Sequence, residues 1–262
     1  MLHTSDVHIA GDRGSLEGLR AVVDTAVECD VDIVLIAGDL FDSSRVHDDA
    51  VAETVGELRR LGRPVVVIPG NHDCVDQYSI YRRVDLTAAG EHVFLAADPA
   101  GEQLDFADLS LSIWARGIEN HDPLNRPLHG YVPGDPTWWR VVLTHGHYVP
   151  GGEKSDRSSR ITQEEIGLLQ CDYLALGHWH RFVDVSEGED ASFAVKVAAT
   201  FELTGEVVIE KVALVLFGVI ETDAGTCTLA EELVSSMVAP LAVAAELNVM
   251  APVAGSPPAD SS

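Results

Sequence analysis

The chain has 262 residues, 46% of them apolar, and 17 Lys and Arg set against 42 Asp and Glu give it a net charge of −25. That length and apolar content suit one globular domain with a small appendage. With no eighteen-residue apolar run and no charged-then-apolar leader, neither a membrane span nor a signal peptide is expected.

Residues 2–5 read as a first strand, short for an α/β opening, that leads into Asp6-Val7-His8. Leu16, Leu19, Val22, Val23, Ala26 and Val27 recur at helical spacing, so residues 15–29 are expected to be a helix. Residues 31–37 are short, rich in β-branched side chains and closed by Gly38-Asp39-Leu40-Phe41-Asp42, the pattern of a buried parallel strand. A carboxylate at the carboxyl end of such a strand points into the crevice where open α/β sheets bind ligands. Asp48 and Asp49 are placed to cap a helix with Val51, Val55 and Leu58 on one face, ended by Gly62. Residues 65–68 repeat the buried-strand pattern and end in Pro69-Gly70-Asn71-His72-Asp73. This β-α-β-α-β alternation implies parallel strands joined by crossover helices.

Further along, a short helix is expected over 79–84 and alternating strands near 92–95, 104–106 and 109–114. Residues 119–137 are Pro-rich without periodicity and read as a long loop over the surface or the site. A strand over 140–144 ends at His145-Gly146-His147. Thr162 and Glu165 form a capping box for a helix reaching residue 170. A strand over 173–176 ends at Gly177-His178-Trp179-His180, and 193–200 and 207–220 read as further strands. One domain over 1–235 is expected, then a C-terminal helix and a disordered tail in 236–262. Cys29, Cys74, Cys171 and Cys227 form no CxxC pair, which points to a reduced, cytoplasmic protein without a thiolate metal site.

Five strand ends thus carry Asp6 and His8; Asp39 and Asp42; Asn71, His72 and Asp73; His145; and His178 and His180. Oxygen and imidazole donors without a thiolate fit a pair of divalent ions such as Mn, Fe, Zn or Mg. Two neighbouring cations need a shared anionic ligand, and Asp39 is the candidate bridge. Arg13, Arg45, Arg82, Arg83, Arg157, Arg160 and Arg181 follow these segments. They form either a basic rim for a phosphate-bearing substrate or an ordinary solvated surface.

In this order, D-x-H, G-D-x-x-D, G-N-H-D, a lone His after a strand and G-H-x-H resemble the calcineurin-like metallophosphoesterases through about residue 182. The Gly38–Asp42 segment looks most like bacterial DNA-repair exonucleases of the SbcD type. The resemblance implies an α/β fold: a four-layer α/β/β/α sandwich of two mixed sheets flanked by helices. It implies Asp6, His8, Asp39 and His180 on one metal, and Asp39, Asn71, His145 and His178 on the other, Mn²⁺ being the expected ion. It also implies His72 as the acid at the leaving oxygen, oriented by Asp42. His145 is preferred to His147 because it directly follows the strand, as the family's ligand does.

The other histidines, His3, His47, His92, His121, His129 and His147, are read as structural or exposed, and Trp179 as packing under the site. Arg116 and His121 stay outside the core set. Three departures qualify the resemblance. Residues 197–201 lack the family's Y-S-G-S-P-like turn. The acidic segment after His180 is expected to be too short for both a DNA-capping domain and an ATPase-docking segment. The short first strand is expected to seat Asp6 and His8 less firmly.

The expected activity is metal-dependent phosphodiester hydrolysis, by in-line attack of a water activated between the cations. Nucleic-acid ends are the leading substrate and a coiled-coil ATPase is a candidate partner, with no membrane involved. A small-molecule phosphodiesterase, acting on cyclic nucleotides, nucleotide conjugates or glycerophosphodiesters, is the alternative. A non-catalytic scaffold on the same fold is the remote one.

Overall fold

The computed structural model describes residues 1–11 and 13–179, together with strand segments at 183–184, 194–197, 202–204, 207–209 and 213–214. The chain opens with β1 (Leu2–Thr4), α1 (Arg13–Glu28), β2 (Val34–Ala37), α2 (Asp48–Leu61), β3 (Val65–Ile68) and β4 (Val93–Leu95). These strands lie parallel in the order β1-β2-β3-β4, and β15 (Ala213–Leu214) adds antiparallel to β1 at the edge. The second sheet is built from β5 (Glu102–Phe106), β6 (Leu111–Arg116), β7 (Trp139–His145), β10 (Tyr173–Gly177), β11 (Val183–Asp184) and β12 (Ala194–Val197), in the order β11-β12-β10-β7-β6-β5. Its four inner strands are parallel and its two edges antiparallel, so both sheets are mixed, as expected. A separate antiparallel pair joins β13 (Glu202–Thr204) to β14 (Val207–Ile209).

Side-chain alternation makes the layers. In β2, Val34 and Ile36 face α1 and α2, meeting Leu19, Val22, Val23 and Leu58, while Leu35 and Ala37 face the second sheet. There they meet Ile113, Val141, Leu143 and Tyr173 in a shared core. Each such fully buried side chain contributes roughly 1.5–3 kcal/mol, which is why β2 tolerates no polar residue on either face. The far face of the second sheet, with Val142, Leu174 and Leu176, is covered by a two-stranded ribbon and α3 (Gln163–Ile166). The ribbon pairs β8 (His147–Val149) with β9 (Arg160–Thr162).

Local details differ from expectation at helix ends. Asp48 and Asp49 occupy the first turn of α2 rather than capping it; His47 holds the cap position without a side-chain bond. The two carboxylates there favour the positive end of the helix dipole instead. Gly62 does close α2, in the left-handed conformation. The Thr162–Glu165 capping box is formed, yet α3 stops after Ile166 because Gly167 follows, a poor helix former. A single 3₁₀ turn, Ile80–Arg82, stands where the helix over 79–84 was expected. No helix among the described residues is long and apolar enough to cross a membrane. The domain limit at residue 235, the C-terminal helix and the tail fall outside the described residues.

Candidate metal centre

β1, β2, β3, β7 and β10 run parallel within their sheets, so their carboxyl ends converge on one rim of the sandwich. The two sheets are clasped there by the His145 ring, whose Nδ1 donates to the Ala37 carbonyl at 2.8 Å. The segment after β1 is seated by the loop after β2: the Asp6 N–H donates to Gly38 O at 3.0 Å and the His8 N–H to Asp39 O at 2.9 Å. The brevity of β1 therefore leaves Asp6 and His8 tied by backbone bonds.

This rim is conformationally costly. Asp6, His8, Asp39 and His178 have φ of 55°, 51°, 52° and 108°, four of the seven non-Gly residues with positive φ among the described residues. Such conformations cost of order 1–3 kcal/mol each and persist where the surroundings enforce them, characteristically at functional sites. Glycines enforce closeness: a Cβ on Gly70 would run into the Asp39 carboxylate, and one on Gly38 into the His145 ring.

The donors gather in two overlapping clusters, Asp6–Asp39–His145 and His8–Asp39–His72, with the ligand atoms of each within 4.8 Å of one another. Asp39 belongs to both. Its Oδ2 lies 3.5 Å from His145 Nε2 and 3.8 Å from His8 Nε2, while its Oδ1 accepts the His72 N–H at 2.8 Å. Asn71 Oδ1 lies 3.0 Å from His145 Nε2 and 2.8 Å from His178 Nδ1, joining both imidazoles to the centre. Asp6 Oδ2 accepts from Ser5 Oγ and from the His178 N–H. Asp42 Oδ1 is 3.2 Å from His8 Nδ1 and 3.4 Å from His72 Nδ1, and the Asp42 carbonyl is closer to His72, at 3.0 Å. Asp42 thus holds both rings, with its carboxylate nearer His8. Six of the seven candidate ligands are brought together; His180 lies outside the described residues.

Electrostatics favour a cation here. Burial is the main cause that raises the Asp39 carboxyl above its ordinary pKa, with His145 opposing and the nearby Asp6 reinforcing. Burial pulls His145 down, but the Asp39 and Asp6 carboxylates outweigh it and hold the imidazole above its usual value. Asp6 Oδ1 is buried without a hydrogen-bond partner. A buried carboxylate oxygen with no donor is costly unless a charge meets it. Oxygen and imidazole donors around a shared carboxylate fit two divalent ions.

Some contributors had a weaker signal in the sequence. Asp73, the last residue of Gly70-Asn71-His72-Asp73, accepts from the Gly70 N–H at 2.6 Å, the Phe41 N–H at 3.1 Å and Tyr81 Oη at 2.6 Å. It locks the loop after β2 to the loop after β3, and burial with the Asp39 charge pushes its carboxyl up to about 6. His147, whose ring is 5.7 Å from those of His178 and Trp179, flanks the centre without reaching Asp39. Trp179 packs on Tyr148 on the far face of the second sheet, beside Leu174 and Leu176. Arg116 donates to the carbonyls of Pro99, Arg126 and His129, pinning the Pro-rich loop.

Comparison with known proteins agrees with this geometry. The family model described as calcineurin-like phosphoesterase matches residues 1–182. The chain is 31% identical over 213 residues to the DNA double-strand break repair protein Mre11 of Methanopyrus kandleri, a match covering 69% of this chain and 44% of that protein. The chain therefore spans less than half the length of that relative. Among solved structures, TT1561 of Thermus thermophilus shares the fold with a TM-score of 0.50 at 14% identity, over 76% of this chain and 88% of that one.

Proposed function

Since the chain belongs to the calcineurin-like phosphoesterases, a family of phosphoester hydrolases, we propose that it hydrolyses phosphodiesters at nucleic-acid ends with two divalent cations. The observation that carries this reading is Asp39, shared by two clusters of metal-type donors at a strained strand-end rim. The proposed ligands are Asp6, His8, Asp39 and His180 for one ion, and Asp39, Asn71, His145 and His178 for the other. Mn²⁺ is the proposed ion: the carboxylate and amide oxygens suit it, while the imidazoles would serve Fe or Zn as well.

When bound, the cations supply charge to the phosphoryl oxygens and lower the pKa of an attacking water. The chain's own groups do the rest. Asp39, fixed by Gly70 and by the His72 N–H, holds the two halves of the site in one geometry. His72 protonates the leaving oxygen as the imidazolium, its Nδ1–H held by the Asp42 carbonyl and its Nε2–H the proton transferred. Asp42 and the Ala37 carbonyl set the tautomers of His8 and His145.

Nucleic acid is favoured by the relative, described as a double-strand break repair protein, and by the SbcD-like Gly38–Asp42 segment. On the same likeness a coiled-coil ATPase is the proposed partner. Free Cys29, Cys74 and Cys171 support a reducing, cytoplasmic setting. The net charge of −25 favours a second reading, hydrolysis of small phosphodiesters.

The test is turnover by the purified chain in Mn²⁺ of labelled single- and double-stranded oligonucleotides and of bis(p-nitrophenyl) phosphate. Shortening of DNA that is lost in EDTA and weakens with salt is expected. Turnover of small diesters alone would select the second reading, and no metal-dependent turnover would leave a non-catalytic scaffold.

A further inference from the structure

Beside the metal centre, the loops after β2 and β3 part to form a cavity of about 370 Å³, lined by Ser43, Ser44, Arg45, His72, Tyr78 and His121 among others. It shares His72 with the centre, so a group attached to an oxygen protonated by His72 would emerge into this space. Its volume is that of a site for one small ligand. The Pro-rich loop between β6 and β7 closes one wall, where His121 Nε2 lies 4.0 Å from Cys74 Sγ.

Arg45 is the arginine in the lining of this cavity. Arg20, Arg60, Arg63, Arg83 and Arg140 are each ion-paired to a carboxylate. Arg82 donates to the Asp76 carbonyl and Arg160 to the Ser155 carbonyl. Arg45 is exposed, and no carboxylate among the described residues lies within ion-pair distance of its guanidinium. In a chain of net charge −25, a guanidinium left without an acidic partner beside a candidate phosphoester site is available to an anionic ligand. The Asp76 carboxylate in the same wall is engaged by the Tyr78 N–H at 2.7 Å. Tyr78 itself is 72% exposed, a large aromatic face on a cavity wall. An unpaired guanidinium beside an exposed aromatic ring is the combination that holds single-stranded nucleotides, charge for the backbone and a π-face for the base.

Resting on the phosphodiesterase reading above, we infer that this cavity is the subsite for the nucleotide on the leaving side of the scissile bond. Arg45 takes the phosphate next to the one being cleaved, and Tyr78 stacks on the base. The substrate at this point is one unpaired nucleotide rather than a duplex, because a cavity of this size admits a single base and sugar.

The test compares kcat/KM in Mn²⁺ for tetrathymidylate, whose leaving group carries a further phosphate, and for bis(p-nitrophenyl) phosphate, whose leaving group carries none. Arg45→Ala is expected to lower the ratio of the two at least tenfold. It should also flatten the slope of log K against log salt for tetrathymidylate binding in EDTA by about 0.7, one phosphate contact on a single strand. Tyr78→Ala should weaken tetrathymidylate binding, and Tyr78→Phe should restore it. Arg59→Ala, which removes an equal charge on α2 away from the cavity, should leave ratio and slope intact. With the wild-type chain active on both substrates, an unchanged ratio in Arg45→Ala, or an equal loss in Arg59→Ala, overturns the subsite and spares the diesterase reading. A wild-type chain inactive on both overturns that reading and the subsite with it.

Discussion

The Nδ1 of His145 donates to the carbonyl of Ala37 across the two sheets at 2.8 Å, so the residue that ends β7 is aimed by the residue that ends β2. With Nδ1 so engaged, Nε2 faces Asp39 Oδ2 at 3.5 Å and Asn71 Oδ1 at 3.0 Å. His145→Ala should remove one of the two equivalents of Mn²⁺ seen by calorimetric titration. Turnover should fall by more than the 10–100-fold typical of losing a residue that only orients a ligand. The Ala37 carbonyl would lose its partner, costing about 1–3 kcal/mol in a urea melt run in EDTA. Retention of both equivalents at wild-type affinity would remove His145 from the ligand set.

Gly70 offers a cleaner separation of site from fold. Its φ is not in the left-handed region, so Ala suits its backbone, but an added Cβ would strike both the carboxylate and the backbone nitrogen of Asp39. The backbone atom cannot swing aside. Gly70→Ala should destabilise by roughly 1–3 kcal/mol as an overpacked site does, and should weaken Mn²⁺ binding. Gly56, inside α2, has nothing within 4 Å of its added Cβ. Gly56→Ala should therefore stabilise the chain by about 0.4–1 kcal/mol with turnover unchanged. Equal behaviour of the two variants would mean that Asp39 is not held by this contact.

Tyr81→Phe tests the brace between the two loops. The Tyr81 hydroxyl donates to a fully buried carboxylate, Asp73, which also accepts two backbone N–H groups. Hydrogen bonds to charged groups are worth about 1.5–3 kcal/mol, and a loss of that size is expected in equilibrium unfolding. Because Asp73 keeps its Phe41 and Gly70 partners, the metal centre should stay assembled, with turnover reduced less than tenfold. A stability change below about 0.5 kcal/mol would show that the hydroxyl is equally well satisfied by water.

Much of this was legible in the chain itself, and what was not has identifiable causes. β2 and β3 announce themselves because strands buried on both faces must be apolar throughout, and the polar residues that follow then stand out. The gathering of Asp6, Asp39, Asn71, His145 and His178 follows from parallel strands sharing one end. Asp73 stood out with its neighbours at that strand end, but its role as a brace did not: its partners are a tyrosine eight residues on and backbone groups from another loop, contacts that no periodicity encodes. Asp48 and Asp49 misled because a carboxylate favours a helix start equally as cap and in the first turn. The free guanidinium of Arg45 was hidden among arginines of the same apparent kind, since pairing depends on which acidic side chains the fold brings near.

His72 stands closest to the boundary between ligand and acid. It belongs to the cluster with His8 and Asp39, which would suit a metal ligand, yet its Nδ1 turns to the Asp42 carbonyl and its ring lines the neighbouring cavity. A ligand and an acid respond differently to His72→Asn. If His72 protonates the leaving oxygen, the variant binds both equivalents of Mn²⁺ and loses about 10²–10⁴-fold in kcat on a nucleotide diester, whose alkoxide leaves poorly. On bis(p-nitrophenyl) phosphate the loss should be much smaller, because nitrophenolate leaves without a proton. If His72 is a ligand, one equivalent of Mn²⁺ is lost and both substrates suffer alike. The ratio of the two losses, measured beside the metal stoichiometry, decides between the roles.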